Sequence, residues 1–255
     1  MFKAIDHIVI VVAELEAAIR AYADAGFTVV RGGRHNIGTH NALIAFADGA
    51  YIELIAFLNP VPNHPWYAAL ARGNGIVDFC AQTDDLAADV GRLRSSGVSI
   101  GDPNPMTRKR PDGFEVKWVL AIPSAPFNGV LPFWIKDETP RDERVPRERT
   151  HRNGAAGLKT LTVMVEDAAA SARYFGAVVA KSPSPIERVD LNARGFAIEP
   201  GPHRIELLTP ARSQGPAAER LATAGQGPYE AVLRGSGSPR TFDPAALMGA
   251  RLRIE

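Results

Sequence analysis

A carboxylate and a histidine set inside apolar runs are the first features of this 255-residue chain that carry chemistry. Glu53 falls in DGAYIELIAF, where Tyr51, Glu53 and Ile55 share one face of a strand and Ile52, Leu54 and Ala56 share the other. An ionised group on such a strand needs a partner. His7 falls in IDHIVIVV, on the face of Val9 and Val11 and opposite Ile8, Ile10 and Val12. Asp78 takes the place of His7 in a second copy of that stretch, and Thr160 takes it in a third. His35, Thr39, His40 and Asn41 cluster in GGRHNIGTHN, and a histidine can give or take a proton near neutral pH. Arg108, Lys109 and Arg110 occupy a polar loop and Trp118 the strand after it, a cation and an indole that suit an anionic or aromatic molecule. Of the three cations, Arg110 is the one kept as a candidate. Cys80 lies in an apolar strand and reads as a buried, inert thiol. The glycines of GGRHNIG do not follow a strand and open a helix, so they are not a phosphate loop, and neither a GxSxG elbow nor a CxxC pair occurs.

The elements that must position these residues recur. The opening IDHIVIVVAELEAAIRAYADAGFTVV reads strand, acidic cap, helix with Leu15, Ile19 and Tyr22 on one side, a stop at Gly26, and strand. GIVDFCAQTDDLAADVGRLRSSGVSI repeats it with Asp84 or Asp85 as cap and Leu86, Val90 and Leu93 on the helix. GLKTLTVMVEDAAASARYFGAVVA is a shorter third copy. Asp48 and Gly49 make a hairpin turn into the Glu53 strand. LNPVPNHPWYAALARGNG reads as a connection, with His64 and Trp66 in surface packing. In the second unit Val116, Trp118 and Leu120 share a face, and counting from Gly129 as from Gly49 places Phe133 where Glu53 stands. Glu206 stands in that place in the third unit and is read as structural. The fourth part keeps a first and a closing strand with little room for a helix.

Length allows one large domain or two ordinary ones, and the spacing of the copies favours two. Residues 1–136 form the first, the charged, proline-rich residues 137–156 a solvated linker, and residues 157–255 a reduced second domain. With 29 basic against 28 acidic residues the net charge is +1, which argues against nucleic acid or an anionic membrane as partner. One cysteine excludes an internal disulfide framework. No leader or run of spanning length is present, so a soluble, cytoplasmic protein is expected. The reduced domain is expected to serve as an interaction surface or as the surface of a homodimer.

DHIVIVV, the GGRH and GTHN turn, DGAYIELI, TDDL and PFWI together resemble the vicinal oxygen chelate superfamily and its glyoxalase-like proteins, well over residues 1–136 and loosely over 157–255. The resemblance implies an α+β fold of tandem βαβββ modules paired into incompletely closed mixed-sheet barrels around a cavity. It implies a divalent metal held by residues of the first and last strands of each module. Carried over, those are His7, Glu53 and Asp78, with Phe133 in the fourth position, where it cannot ligate. Such a set suits Mn, Fe or Mg, with Zn and Ni as further candidates; hydrogen bonding across a metal-free cavity is the alternative. The cavity rim falls at His35, a candidate acid or base, and at Thr39, His40 and Asn41 as substrate binders, with Arg110, Trp118 and Phe133. The implied function is a metal-dependent lyase, isomerase or dioxygenase acting on a small oxygenated molecule, or a protein that binds or sequesters one without metal.

Overall fold

The computed structural model describes residues 1–71 and 75–255; residues 72–74, at the end of the connection read in the sequence, lie outside the described residues. Strand and helix alternate in the first half as the patterning predicts. β1 (Ala4–Val11), α1 (Leu15–Asp24), β2 (Val30–His35), β3 (Thr39–Ala45) and β4 (Tyr51–Phe57) are followed by a short α2 (Pro65–Leu70). Then come β5 (Ile76–Gln82), α3 (Leu86–Ser95), β6 (Asn104–Lys109), β7 (Glu115–Ala121) and β8 (Phe133–Asp137). The eight strands lie in the order β1-β4-β3-β2-β6-β7-β8-β5, and β5 pairs back to β1. The mixed-sheet barrel of a glyoxalase-like α+β fold is thus present, its closure complete where the resemblance implies an incomplete one.

Register decides which side chains meet inside it. His7 lies opposite Cys80 and Val9 opposite Asp78 across the antiparallel β1–β5 pair. Val9 also lies beside Glu53 on β4, and Cys80 beside Phe133 on β8. Paired residues point to the same side of a sheet, so His7, Glu53, Asp78, Cys80 and Phe133 all stand on the inner face. Val9, Val11, Met106, Val116, Trp118 and Ile135 fill out an apolar lumen around them. The alternate residues Ile8, Ile10 and Val12 join the outer core under the helices. α1 buries Leu15, Ala18 and Tyr22 there and ends before Gly26, whose φ of +92° glycine adopts without strain. Asp85, rather than Asp84, caps α3 by accepting from Ala88 N at 3.0 Å.

The second half adds α4 (Arg141–Arg144), β9 (Ala155–Met164), α5 (Ala168–Gly176), β10 (Ser184–Arg188), β11 (Ala193–Ile198), β12 (Arg204–Pro210), α6 (Pro216–Ala224), β13 (Gly227–Gly235), β14 (Arg240–Thr241) and β15 (Leu252–Ile254). Its strands form an open sheet ordered β10-β11-β12-β9-β13-β15-β14. Between β13 and β15 the chain makes β14 and a 3₁₀ turn at Pro244–Leu247 in place of an α-helix. One apolar core spans both halves: Leu161, Phe175 and Leu207 belong to the same cluster as Ile8, Tyr22 and Trp134. Polar contacts stitch the seam. Asp48, at the first hairpin turn, accepts from Leu158 N at 2.8 Å and lies 3.3 Å from His203 Nε2, while His203 Nδ1 accepts from Ile5 N at 2.9 Å.

Residues 137–156 depart from the solvated linker expected of their charge. Arg144 is 2% exposed and His151 6%. Arg144 is held inside because its guanidinium meets the carboxylates of Asp6 and Asp137.

Candidate functional site

The lumen of the barrel gathers its polar groups at one place. His7 is held on three sides. Its Nδ1 lies 2.8 Å from Asp6 Oδ1, its ring stacks on Tyr51 with centroids 4.5 Å apart, and Phe133 meets it edge-on at 5.4 Å. That leaves Nε2 directed at Glu53 Oε2, 3.5 Å away, beyond ordinary hydrogen-bond length. Glu53 Oε1 accepts from Asn41 Nδ2 at 2.6 Å and lies 3.7 Å from His35 Nε2. His35 is fixed by Thr39 Oγ1, 2.8 Å from its Nδ1, and by the edge of Trp118. Behind His7, Asp6 is bracketed by Arg144 Nη1 and Nη2 at 2.9 and 3.0 Å and is paired with Arg141.

These contacts set the charges. Burial alone would raise the pKa of Glu53, but His7, His35 and Asn41 outweigh it and hold the carboxyl down to about 2. Burial also opposes a charge on His7, and the Asp6 and Glu53 carboxylates outweigh it and raise that pKa. Asp6 is held well below the carboxylate range because Arg144, with His7 and Arg141, overcomes its burial. Burial brings His35 down to about 4, so its imidazole is neutral at neutral pH. The resting site therefore sets the Glu53 carboxylate between a neutral His35 and a His7 ring whose protonated form its two carboxylate neighbours favour.

The free space here is about 60 Å³, room for a few water-sized groups, lined by His7, His35, Glu53, Arg108, Trp118 and Phe133 among others. Of the residues proposed from sequence, the structure brings His7, His35, Glu53, Trp118 and Phe133 to this space, with Asn41 and Thr39 buried against His35 and Glu53. It separates the others. His40 lines an outer groove with Leu15 and Glu16. Arg110 is taken by Asp112 and by Glu143, 2.6 Å away. Asp78 turns its carboxyl to Phe79 N at 2.8 Å and to the indole of Trp66 at 3.1 Å, and burial pushes its pKa up to about 7. Trp66 is thus a wall of the cavity rather than surface packing, and His64 caps α2 by accepting from Trp66 N. Glu206 pairs with Arg188 and Arg204 in the open sheet.

Arg108, Arg144 and Asp6 join the site without being among the candidates from sequence. Arg108 could have been found by parity: it lies opposite Val116, which shares the inner face with Trp118. Gly32 makes room for this corner, since a Cβ there would meet Asn41 Oδ1 at 2.1 Å and Arg108 Nη1 at 3.1 Å.

The metal set implied by the resemblance does not converge. Asp78 is engaged elsewhere, Phe133 offers no donor, and the guanidiniums of Arg108 and Arg144 line the same space and disfavour a second cation. Among the described residues, the donor atoms that do come within 4.8 Å of one another belong to Asp6, His7 and Cys80. Asp6 is already neutralised by two arginines, and burial pushes the Cys80 thiol up, away from the thiolate a metal takes.

The glyoxalase-like domain family model matches residues 5–179, and the chain belongs to that family, within the vicinal oxygen chelate superfamily. A hypothetical protein from Staphylococcus aureus is similar in structure, with a TM-score of 0.69, 18% identity and 98% of each chain covered. A mutant of 4-hydroxymandelate synthase from Streptomyces coelicolor aligns with a TM-score of 0.63 and 17% identity, over 92% of this chain and 71% of the other. At these identities the likeness is one of fold. No curated protein matches the sequence. Among the described residues no helix is long and apolar enough to cross a membrane.

Proposed function

We propose that the barrel lumen binds a small oxygenated molecule and that His7 and Glu53 transfer a proton on it without a metal, the chemistry of an isomerase or lyase. The observation that carries this reading is the His7–Glu53 pair, with Nε2 and Oε2 3.5 Å apart and both side chains buried among apolar walls. His7, held by Asp6, presents Nε2–H to a substrate oxygen and acts as the acid. Glu53 then loses the contact that depresses its pKa, becomes more basic, and takes a proton from the neighbouring carbon. Asn41 holds the carboxylate in place, and His35, neutral, donates or accepts a hydrogen bond. Trp118 and Phe133 supply the flat apolar walls.

Turnover of small carbonyl compounds, followed by solvent deuterium exchange at the carbon beside the carbonyl, tests the reading. Exchange lost in both Glu53→Gln and His7→Asn supports it; exchange unchanged in either variant refutes it. The metal-dependent lyase, isomerase or dioxygenase is tested by elemental analysis after loading with Mn²⁺, Fe²⁺, Mg²⁺, Zn²⁺ and Ni²⁺. Stoichiometric metal that Glu53→Gln loses would replace the metal-free reading. Sequestration without turnover is the second reading, favoured by the weak basicity of Glu53 in its resting pair; tight binding with no exchange would establish it.

A further inference from the structure

The strand alternation of β6 turns Met106 and Arg108 into the lumen, and Arg108 is 3% exposed. Its Nη2 donates to the Arg144 carbonyl at 2.8 Å, and its buried Nε has no partner. Among the described residues it has no carboxylate in contact. Glu53 and Tyr51 act on it only at a distance. The other arginines of this region differ: Arg144 has Asp6 and Asp137, Arg141 has Asp6, and Arg110 has Asp112 and Glu143. A buried guanidinium with no carboxylate in contact is costly, and Glu53, engaged by Asn41 and facing His7, reaches it only at a distance. The lack of a Cβ at Gly32 leaves room beside its Nη1.

We propose that Arg108 anchors a carboxylate of the ligand, so that the substrate class is a small monocarboxylic acid with a flat body against Trp118 and Phe133. The planar fork of the guanidinium matches the two oxygens of a carboxylate. One cation balances one monoanion, whereas a phosphate dianion would bring uncompensated charge into a space of about 60 Å³. This inference rests on the lumen being the ligand site.

The test uses the full chain and thermal unfolding with acetate, propionate, benzoate, their neutral amides and inorganic phosphate, followed by titration calorimetry of whichever binds. The expected result is a rise in midpoint with a carboxylate and none with its amide. Arg108→Gln should weaken that carboxylate about thirtyfold or more, and Arg108→Lys, which keeps the charge but loses the fork, should fall between. Arg108→Met should raise the midpoint of the ligand-free chain, because it removes a buried charge that has no carboxylate in contact, and should abolish the carboxylate shift. A carboxylate shift that survives in Arg108→Gln or Arg108→Met overturns the proposal, as does an equal response to amides or a response to phosphate alone. Arg108-dependent carboxylate binding with no Glu53-dependent exchange would leave this inference standing and remove the proton-transfer reading. Glu53-dependent exchange of a neutral substrate, with KM unchanged in Arg108→Gln, would do the reverse.

Discussion

Glu53 stays ionised inside an apolar barrel because His7, His35 and Asn41 face it, while Asp78, two rungs from Cys80 on the same inner face, meets only an indole and a backbone N–H. The contrast makes Asp78 a reporter. In the folded chain it keeps its proton up to about pH 7, whereas an unfolded aspartate loses it near pH 4. Between those values the folded state binds more protons, so this group makes stability fall as pH rises from about 4 to about 7. Asp78→Asn should therefore gain on the native sequence between about pH 5 and about pH 8, by at most about 3 kcal/mol. Urea unfolding at the two pH values measures it, and an equal difference at both would show that Asp78 titrates normally. Gly32 is a second reporter. In Gly32→Ala the new Cβ displaces Asn41 from Glu53, with an overpacking cost of about 1–3 kcal/mol. Ligand binding should weaken with it, which calorimetry on the folded variant would read.

At the level of elements, α4 and the bulge in β1 act together. A register shift between Ile5 and His7 breaks the alternation of β1, so Asp6, which strict alternation would send to the outer face, reaches His7 and Arg144. Arg144→Ala leaves Asp6 with less of its compensation and should cost about 3–5 kcal/mol; Arg144→Lys should recover only part, since it loses the fork to Asp6 and Asp137. Chemical denaturation of the two variants checks the order, and equal stability would show the pair to be incidental. These contacts also mark where the sequence stopped being legible. The period of two in β1, β4 and β7 placed His7, Glu53 and Trp118 correctly, because alternation is a local property. Arg144 and Asp6 are 138 positions apart, and Arg144 lies in a run whose charge and prolines look solvated, so nothing local points it inward. Trp66 escaped for the same reason: its partner Asp78 is on another element. His40 and Arg110 were placed by their nearness in sequence to His35 and Trp118, yet strand parity turns His40 outward and Asp112 and Glu143 hold Arg110 at the rim.

Over the whole molecule, barrel and open sheet bury one another's apolar faces, with Tyr22 Oη donating to the Leu247 carbonyl across the seam and Phe27 packed on Phe242. We expect thermal unfolding to be a single cooperative transition, and a chain ended near residue 140 to lose it, since Ile8, Tyr22 and Trp134 would lose the neighbours from β9 and α5 that cover their cluster. Calorimetry of both forms decides; an independent, cooperative transition in the shortened chain would show that the barrel needs no cover. The closure of the barrel has a kinetic side. Because β5 pairs back to β1, no unpaired strand edge opens onto the lumen, and Arg144 fills the space at the Asp6–Tyr51 end. Among the residues that line the space Ile37 is exposed, and traffic is left with that side. Product must vacate the passage that the next substrate enters, so slow departure of product would set the ceiling on steady-state turnover, and added product would compete with substrate for the same doorway.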